Sequence, residues 1–313
     1  MTISLVTGGA GFIGSHLVDG LLERGDVVRV LDNLSTGKIE NLEGKLDQID
    51  LIQGDLRDPA ILTQAVQGVD LIFHQAAFVS VPKSMEEPDA CLDINVRGTR
   101  QLLEFARLAG VKRVVLASSA AVYGESPELP LGESGLTDPL SPYASSKLIG
   151  EIFARLYTKQ LGLDVVALRY FNVYGPRQNP DSDYAAVIPI FIKQLKDEDT
   201  PVIYGDGKQS RDFVFVKDVV LANLLAGESR RAPGQVINIC SGQEINLLEL
   251  LDSLSGIFNR HIEPDFEAPR PGDIYRSLGN PALASDLLGF SPQTSMQDGL
   301  RATSNWLMGS YRV

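Results

Sequence analysis

Residues 3–17 read Ile3-Ser4-Leu5-Val6-Thr7-Gly8-Gly9-Ala10-Gly11-Phe12-Ile13-Gly14-Ser15-His16-Leu17, and this stretch decides the fold. Residues 3–7 form an apolar, β-branched strand pattern, Gly8, Gly11 and Gly14 make a GxxGxxG at the following turn, and a helical pattern runs on through Leu22. Missing side chains at such a turn let backbone N–H groups approach a pyrophosphate, whose charge the helix N-terminus stabilises. A glycine-rich turn by itself serves many loops, so its context has to decide. A second strand pattern, residues 27–32, ends on Asp32, 18 residues after Gly14. That is close to the spacing of about 20 at which a carboxylate accepts the hydroxyls of an adenosine ribose. A carboxylate there repels a 2′-phosphate, so the pattern predicts NAD rather than NADP. Asp55, in Gly54-Asp55-Leu56 after the third strand, either caps the adenine or serves as an ordinary turn residue.

Working outward, residues 49–54, 71–74, 114–118 and 165–169 also read as strands, separated by helical patterns. Asp58-Pro59 and Ser141-Pro142 are N-cap and first-turn pairs, and Gly110 and Gly162 are stops. This alternation predicts an α/β fold: a Rossmann-type doubly wound parallel sheet with ligand crevices at the carboxyl ends of its strands. After residue 173 the pattern loosens into Pro- and Gly-rich pieces at 174–183, 204–212 and 263–273, whereas 214–226 reads as a helix and 235–239 as a strand returning to the sheet. The expected division is a dinucleotide-binding domain of residues 1–172 and 213–239, with a smaller interleaved α/β substrate domain of residues 173–212 and 240–313.

The chain has 313 residues, 44% hydrophobic and 22% charged, with a formal net charge of −12. That composition supports a sizeable core and repels phosphate backbones and anionic lipid, so neither nucleic acid nor a membrane is an expected partner. No signal-peptide pattern opens the chain, and no apolar run approaches the roughly 18 to 20 residues that span a bilayer. A soluble, cytoplasmic protein is expected. Cys91 and Cys240 form no CxxC, and with only His16, His74 and His261 they provide no ligand spacing for a metal; none is expected. Both thiols sit in apolar surroundings and read as inert, and His74 reads as a core or crevice histidine.

Tyr143 and Lys147 lie four residues apart just inside the helix that Ser141-Pro142 opens, so they share a face. A nearby ammonium favours a phenolate, which would move a group with pKa of about 10 toward use near neutrality as an alcohol base. The same spacing is common on ordinary amphipathic helices. Ser119 weighs against that alternative, because it stands where the crevice opens after the fifth strand and can share a substrate oxygen with Tyr143.

With GxxGxxG, Asp32, Ser119 and Tyr143-x-x-x-Lys147 in this order, almost the whole chain resembles an extended short-chain dehydrogenase/reductase. His74-Gln75-Ala76-Ala77, Arg169-Tyr170-Phe171-Asn172, Gly205-Asp206-Gly207, Ser210-Arg211-Asp212-Phe213 and Arg270-Pro271-Gly272-Asp273 narrow the likeness to nucleotide-sugar 4-epimerases. Ser80-Val81-Pro82-x-Ser84, Leu140-Ser141-Pro142-Tyr143-Ala144 and Arg177-Gln178-Asn179-Pro180, followed by residues 184–189, are most similar to those acting on UDP-N-acetylglucosamine.

The resemblance implies NAD retained through turnover, with cofactor contacts at Gly8, Gly11, Phe12, Ile13, Gly14, Asp32, Asn33, Asp55, Leu56, Ala76, Ala77, Tyr143, Lys147 and Tyr170. It makes Tyr143 the base at the sugar O4, Lys147 the holder of the nicotinamide ribose and Ser119 the group that orients O4. Substrate contacts are implied at Val79, Ser119, Ala120, Asn172, Gln178, Ala186, Val187, Tyr204, Arg211, Arg270, Asp273 and Ser277. Arg211 and Arg270 would clamp the diphosphate, Asp273 the uridine ribose, and Tyr204 would pack near uracil. Related dehydratases carry an acidic pair after the strand-end hydroxyl; here Ala120 and Ala121 supply no acid or base for elimination. A small Ser277 leaves space for an N-acetyl group, while Val79 and Ala120 depart from the glycine and serine of acetyl-preferring enzymes. The expected reaction is inversion of C4 of UDP-GlcNAc/UDP-GalNAc and UDP-glucose/UDP-galactose. The alternatives are a UDP-glucuronate 4-epimerase or decarboxylase, with Arg177 meeting the carboxylate, and a non-catalytic NAD-binding scaffold. Helical segments 89–109 and 143–161 resemble the pair that builds a four-helix homodimer interface, and Trp306 is expected to pack the small domain.

Overall fold

The computed structural model describes residues 1–181, 185–269 and 274–309. Six strands of the first half are β1 (Ile3–Thr7), β2 (Val27–Asp32), β3 (Ile49–Gln53), β4 (Leu71–His74), β5 (Arg113–Ser119) and β6 (Asp164–Tyr170). They are followed by β7 (Asn172–Tyr174), β8 (Val202–Tyr204), β9 (Ser210–Phe215), β10 (Val236–Ile239), β11 (Glu244–Asn246), β12 (Asp265–Glu267) and β13 (Arg276–Ser277). Seven of them form one sheet in the order β10-β6-β5-β4-β1-β2-β3, and every pairing in it is parallel. The order reverses between β1 and β4, which opens a crevice at the carboxyl ends of these two strands.

The sheet is buried on both faces, as a parallel sheet must be when crossover helices cover it. On one face Leu17, Val18 and Leu21 of the helix Phe12–Arg24 pack with Val219, Val220 and Ala222 of the helix Val216–Glu228. On the other, Leu62 and Ala65 pack with Leu102, Leu103 and Ala106, and with Ala154 of the helix Pro142–Leu156. The caps read from the sequence hold: Asp58 accepts the Ala60 N–H at 2.8 Å and Ser141 Oγ accepts the Ala144 N–H at 3.1 Å. A smaller α/β assembly, interleaved in sequence, has its own core of Phe191, Ile192, Leu250, Leu254 and Leu300. Its sheet is built on β9, which pairs with β7, β11 and β13.

Two readings need correction. Val214 and Phe215 end β9 instead of opening the next helix, because they pair with Val173 and Tyr174 of β7. The segments expected as plain helices carry π-helical stretches, Asp93–Gly98 and Tyr157–Leu161. Among the described residues no helix is long and apolar enough to cross a membrane.

Candidate active site

At the crevice the glycine turn packs against its own strand neighbours. Gly8 has φ +69°, and a Cβ there would stand 2.7 Å from the Ala76 nitrogen; one on Gly14 would stand 2.1 Å from the Gly8 carbonyl oxygen. The helix Phe12–Arg24 begins at Gly11 with no side-chain cap, leaving its first-turn N–H groups available to an anion. Asp32, buried at the end of β2, accepts the Ala10 N–H at 2.9 Å and the Leu34 N–H at 2.8 Å, so it also shapes the turn. Asp55 lies at the same wall, and hydrogen bonds from Arg57 hold its carboxyl at about 2, well below its ordinary value.

Ser119 closes β5 and Tyr143 enters from the helix Pro142–Leu156, and both side chains line the same cleft. Lys147 Nζ lies 5.7 Å from the centre of the Tyr143 ring and donates to the Ala117 carbonyl at 2.9 Å. Burial pulls the Lys147 ammonium down to about 8 and pushes the Tyr143 phenol up, with Ser119 partly opposing it. Burial is the largest influence on the phenol in this arrangement.

These groups share one cleft of about 1950 Å³, larger than the roughly 300 to 1,000 Å³ that encloses a single drug-sized ligand. All of the residues read as cofactor contacts line it, as do Val79, Ser119, Asn172, Gln178, Ala186, Val187 and Arg211. Ala120, Tyr204 and Ser277 are not on its wall. Ala120 begins a 3₁₀ turn capped by Ser119, Tyr204 belongs to the separate β8–β12 pair, and Ser277 pairs with Arg211, which does line the cleft. Arg270 and Asp273 lie outside the described residues. Trp306, expected to pack the small domain, lines the cleft.

Residues 4–240 match the NAD dependent epimerase/dehydratase family. The chain belongs to that family. It is 41% identical over 305 residues to the UDP-glucose 4-epimerase of Mycolicibacterium smegmatis, covering 96% of each chain. Among solved structures it is similar to a UDP-N-acetylglucosamine 4-epimerase from Methanobrevibacter ruminantium in complex with UDP-N-acetylmuramic acid, with TM-score 0.95, 41% identity and 99% of both chains covered. It is also similar to the UDP-glucose 4-epimerase of Thermotoga maritima with UDP-glucose, with TM-score 0.94, 36% identity and 99% of both chains covered. The chain is an enzyme of the isomerase class within the short-chain dehydrogenase/reductase superfamily, and NAD is its cofactor. The epimerase/dehydratase cleft fits NAD: the glycine cradle has no space for a Cβ, the helix end is uncapped, and a buried carboxylate stands at the ribose spacing.

Next to Ser119 lies a buried polar cluster that the sequence reading missed. Glu151, on the same helix as Tyr143, pairs bidentately with Arg169 of β6 at 2.7 Å for both bonds, each side chain being only 2% exposed. Ser118, beside Ser119, donates to Glu151 at 2.6 Å, and the Arg169 guanidinium lies 4.6 Å over the Tyr123 ring. Glu151 and Arg169 were separable from surface charges only by their neighbours, two apolar strands and a helix face. Arg177, offered for a uronic carboxylate, lines the cleft and is buried against Asp19, with its Nη2 2.8 Å from the carboxylate.

Proposed function

We propose that this chain inverts C4 of a UDP-hexose through a 4-keto sugar, acting on UDP-glucose/UDP-galactose and UDP-GlcNAc/UDP-GalNAc. The observation that carries this reading is that Ser119, at the end of β5, lines the same cleft as Tyr143 and Lys147, with Lys147 Nζ 5.7 Å from the centre of the Tyr143 ring. Tyr143 takes the proton from O4 and later returns it; Ser119 holds O4 in line with the phenol. Bound NAD supplies a hydride acceptor and a positive ring beside the phenol. Lys147 adds its own charge and holds the cofactor ribose. Arg211 and Arg270 grip the diphosphate, Asp273 holds the uridine ribose and Asn172 and Gln178 contact the substrate beside them, while Val79, Ala186 and Val187 leave the hexose free to turn its other face. Binding energy then falls on the part of the substrate that does not react.

Ala120 and Ala121 offer no carboxyl group for eliminating water, so the keto sugar is only reduced again. Tyr143→Phe tests the mechanism: loss of UDP-glucose and UDP-GlcNAc epimerisation by about 100-fold or more is expected, with NAD still released on denaturation. Full activity in that variant rejects the base assignment.

The same reading takes residues 1–172 and 213–239 as the cofactor domain and residues 173–212 and 240–313 as the sugar domain. It makes the enzyme a homodimer, since Leu92, Leu108, Ile152, Leu156 and Leu161 leave apolar side chains exposed on the two helical segments of the expected four-helix bundle. Sedimentation at twice the chain mass of 34.0 kDa is expected, and sedimentation at the chain mass removes the dimer. A cytoplasmic setting suits the two buried free thiols, Cys91 and Cys240.

A further inference from the structure

Both backbone polar groups of Tyr143 are held by serine side chains. The Tyr143 N–H donates to Ser84 Oγ at 3.2 Å, and Ser84 Oγ donates onward to the Val81 carbonyl at 2.6 Å. The Tyr143 carbonyl accepts from Ser146 Oγ at 2.7 Å, and Ser146 Oγ accepts from Asn95 Nδ2 at 2.9 Å. Asn95 in turn reads both polar groups of Phe78, taking its N–H at 2.7 Å and donating to its carbonyl at 3.0 Å. Ser84, Ser146 and Asn95 are all buried.

This pattern exceeds what a helix start requires. Ser141 is the N-cap and serves the Ala144 N–H, so the Tyr143 N–H needs another acceptor. It finds one on a different element, the short helix Val81–Glu86. Ser146 bonding back to its own helix is an ordinary serine habit, but here its other side is taken by Asn95, which is fastened to Phe78. Residues 78–86 are therefore tied to Tyr143 from two directions, and Phe78, Val79, Ser80 and Lys83 of that segment line the cleft.

We infer that Ser84, together with Ser146 and Asn95, is a positioning residue that sets the Tyr143 side chain against Ser119 and couples it to the cleft wall at residues 78–83. This rests on the reading of Tyr143 as the base at O4. Removing the Ser84 hydroxyl leaves a buried N–H without its acceptor and lets the first turn of the helix shift. The groups assigned to the nucleotide are elsewhere, so turnover suffers and substrate binding does not. A displaced phenol loses the Ser119 hydroxyl that opposes the effect of burial, and the acid limb of the pH–rate profile moves to higher pH. The other titratable groups acting on or beside this phenol are Lys147 on its own helix and Cys91 on the helix Pro88–Leu92. Ser84→Ala alters neither, whereas Ser146→Ala also removes the hydroxyl that Cys91 Sγ meets at 4.0 Å.

The test compares Ser84→Ala, Ser146→Ala and Tyr143→Phe with the wild type, each as the full NAD-loaded chain, using UDP-glucose and UDP-GlcNAc. For both serine variants kcat is expected to fall about 10- to 100-fold, the scale of a misplacement near 1 Å. KM should stay within about twofold and the acid-limb midpoint should rise. Should Ser84→Ala not fold, Ser146→Ala carries the same expectation. Wild-type kcat and midpoint in the serine variants, with Tyr143→Phe inactive, overturn the inference and leave the base assignment standing. A fall in kcat with an unmoved midpoint, or one matched by lost NAD, overturns it as well. An active Tyr143→Phe overturns the assignment of the base itself.

Discussion

At residue 14 an added Cβ would meet backbone on three sides: the Gly8 carbonyl oxygen at 2.1 Å, its carbon at 2.8 Å and the Gly9 Cα at 2.9 Å. No flexible side chain can yield there, so Gly14→Ala must move the turn or the helix start. Such strain is on the order of 1 to 3 kcal/mol, and it falls on the atoms expected to meet the pyrophosphate. Gly14→Ala should therefore purify with little or no NAD, measured as nucleotide released on denaturation; wild-type NAD content would remove the glycine from the cradle. Asp32 was legible from spacing alone, because a strand that ends on a carboxylate at that distance from a glycine turn has few other uses. The state of Tyr143 was not legible. Its spacing to Lys147 suggests an acidified phenol, but the ammonium's direction is set by the Ala117 carbonyl of a distant strand, and burial decides the balance.

Elements were read best where one local signal fixed them. The strands of the main sheet follow from β-branched runs, and Ser141-Pro142 and Asp58-Pro59 mark helix starts through bonds two or three residues away. Where a tertiary partner decides, the sequence misleads: Val214 and Phe215 look helical yet pair with β7, and the π-helical stretch Asp93–Gly98 contains Asn95, whose side chain is occupied by Phe78 and Ser146. The joint between the helix Pro142–Leu156 and strands β5 and β6 belongs to the same class. Its Glu151–Arg169 pair is joined by Ser118 and faced by the Tyr123 ring, with Arg169 Nη1 left without a hydrogen-bond partner, so removing one member strands a buried charge at a cost of about 3 to 5 kcal/mol. Replacing both by apolar residues avoids that penalty. Glu151→Gln and Arg169→Met should each destabilise the protein more than Glu151→Leu combined with Arg169→Met, read as denaturant midpoints. Singles no worse than the double would make the pair an ordinary surface-like contact.

Over the whole molecule the interleaved assembly is pinned to the main sheet by buried polar contacts as well as by packing, and two buried histidines, His16 and His74, tie stability to pH. His16, on the cofactor helix, bonds the Pro176 carbonyl at 2.9 Å beyond β7, next to the Asp19–Arg177 pair. His74 closes β4 between Thr7 at 2.7 Å and Thr99 at 2.9 Å. Burial, aided by Arg177, lowers His16 to about 4, and burial, aided by Lys147, lowers His74 to about 3. Both are depressed below the unfolded value of 6.5, so the unfolded chain binds more protons between the two values. The stability they contribute is complete above about pH 6.5 and drains away as pH falls toward about 4 and then 3. At about 1.4 kcal/mol per pKa unit, His16 alone removes about 2 kcal/mol between about pH 7 and about pH 5. His16→Gln, which keeps an N–H for the Pro176 carbonyl but cannot titrate, should lose correspondingly less over that interval in denaturant unfolding. Parallel pH dependence in wild type and variant would mean that His16 is not held neutral, and that the contact between the cofactor helix and the segment after β7 does not exclude water as the structure implies.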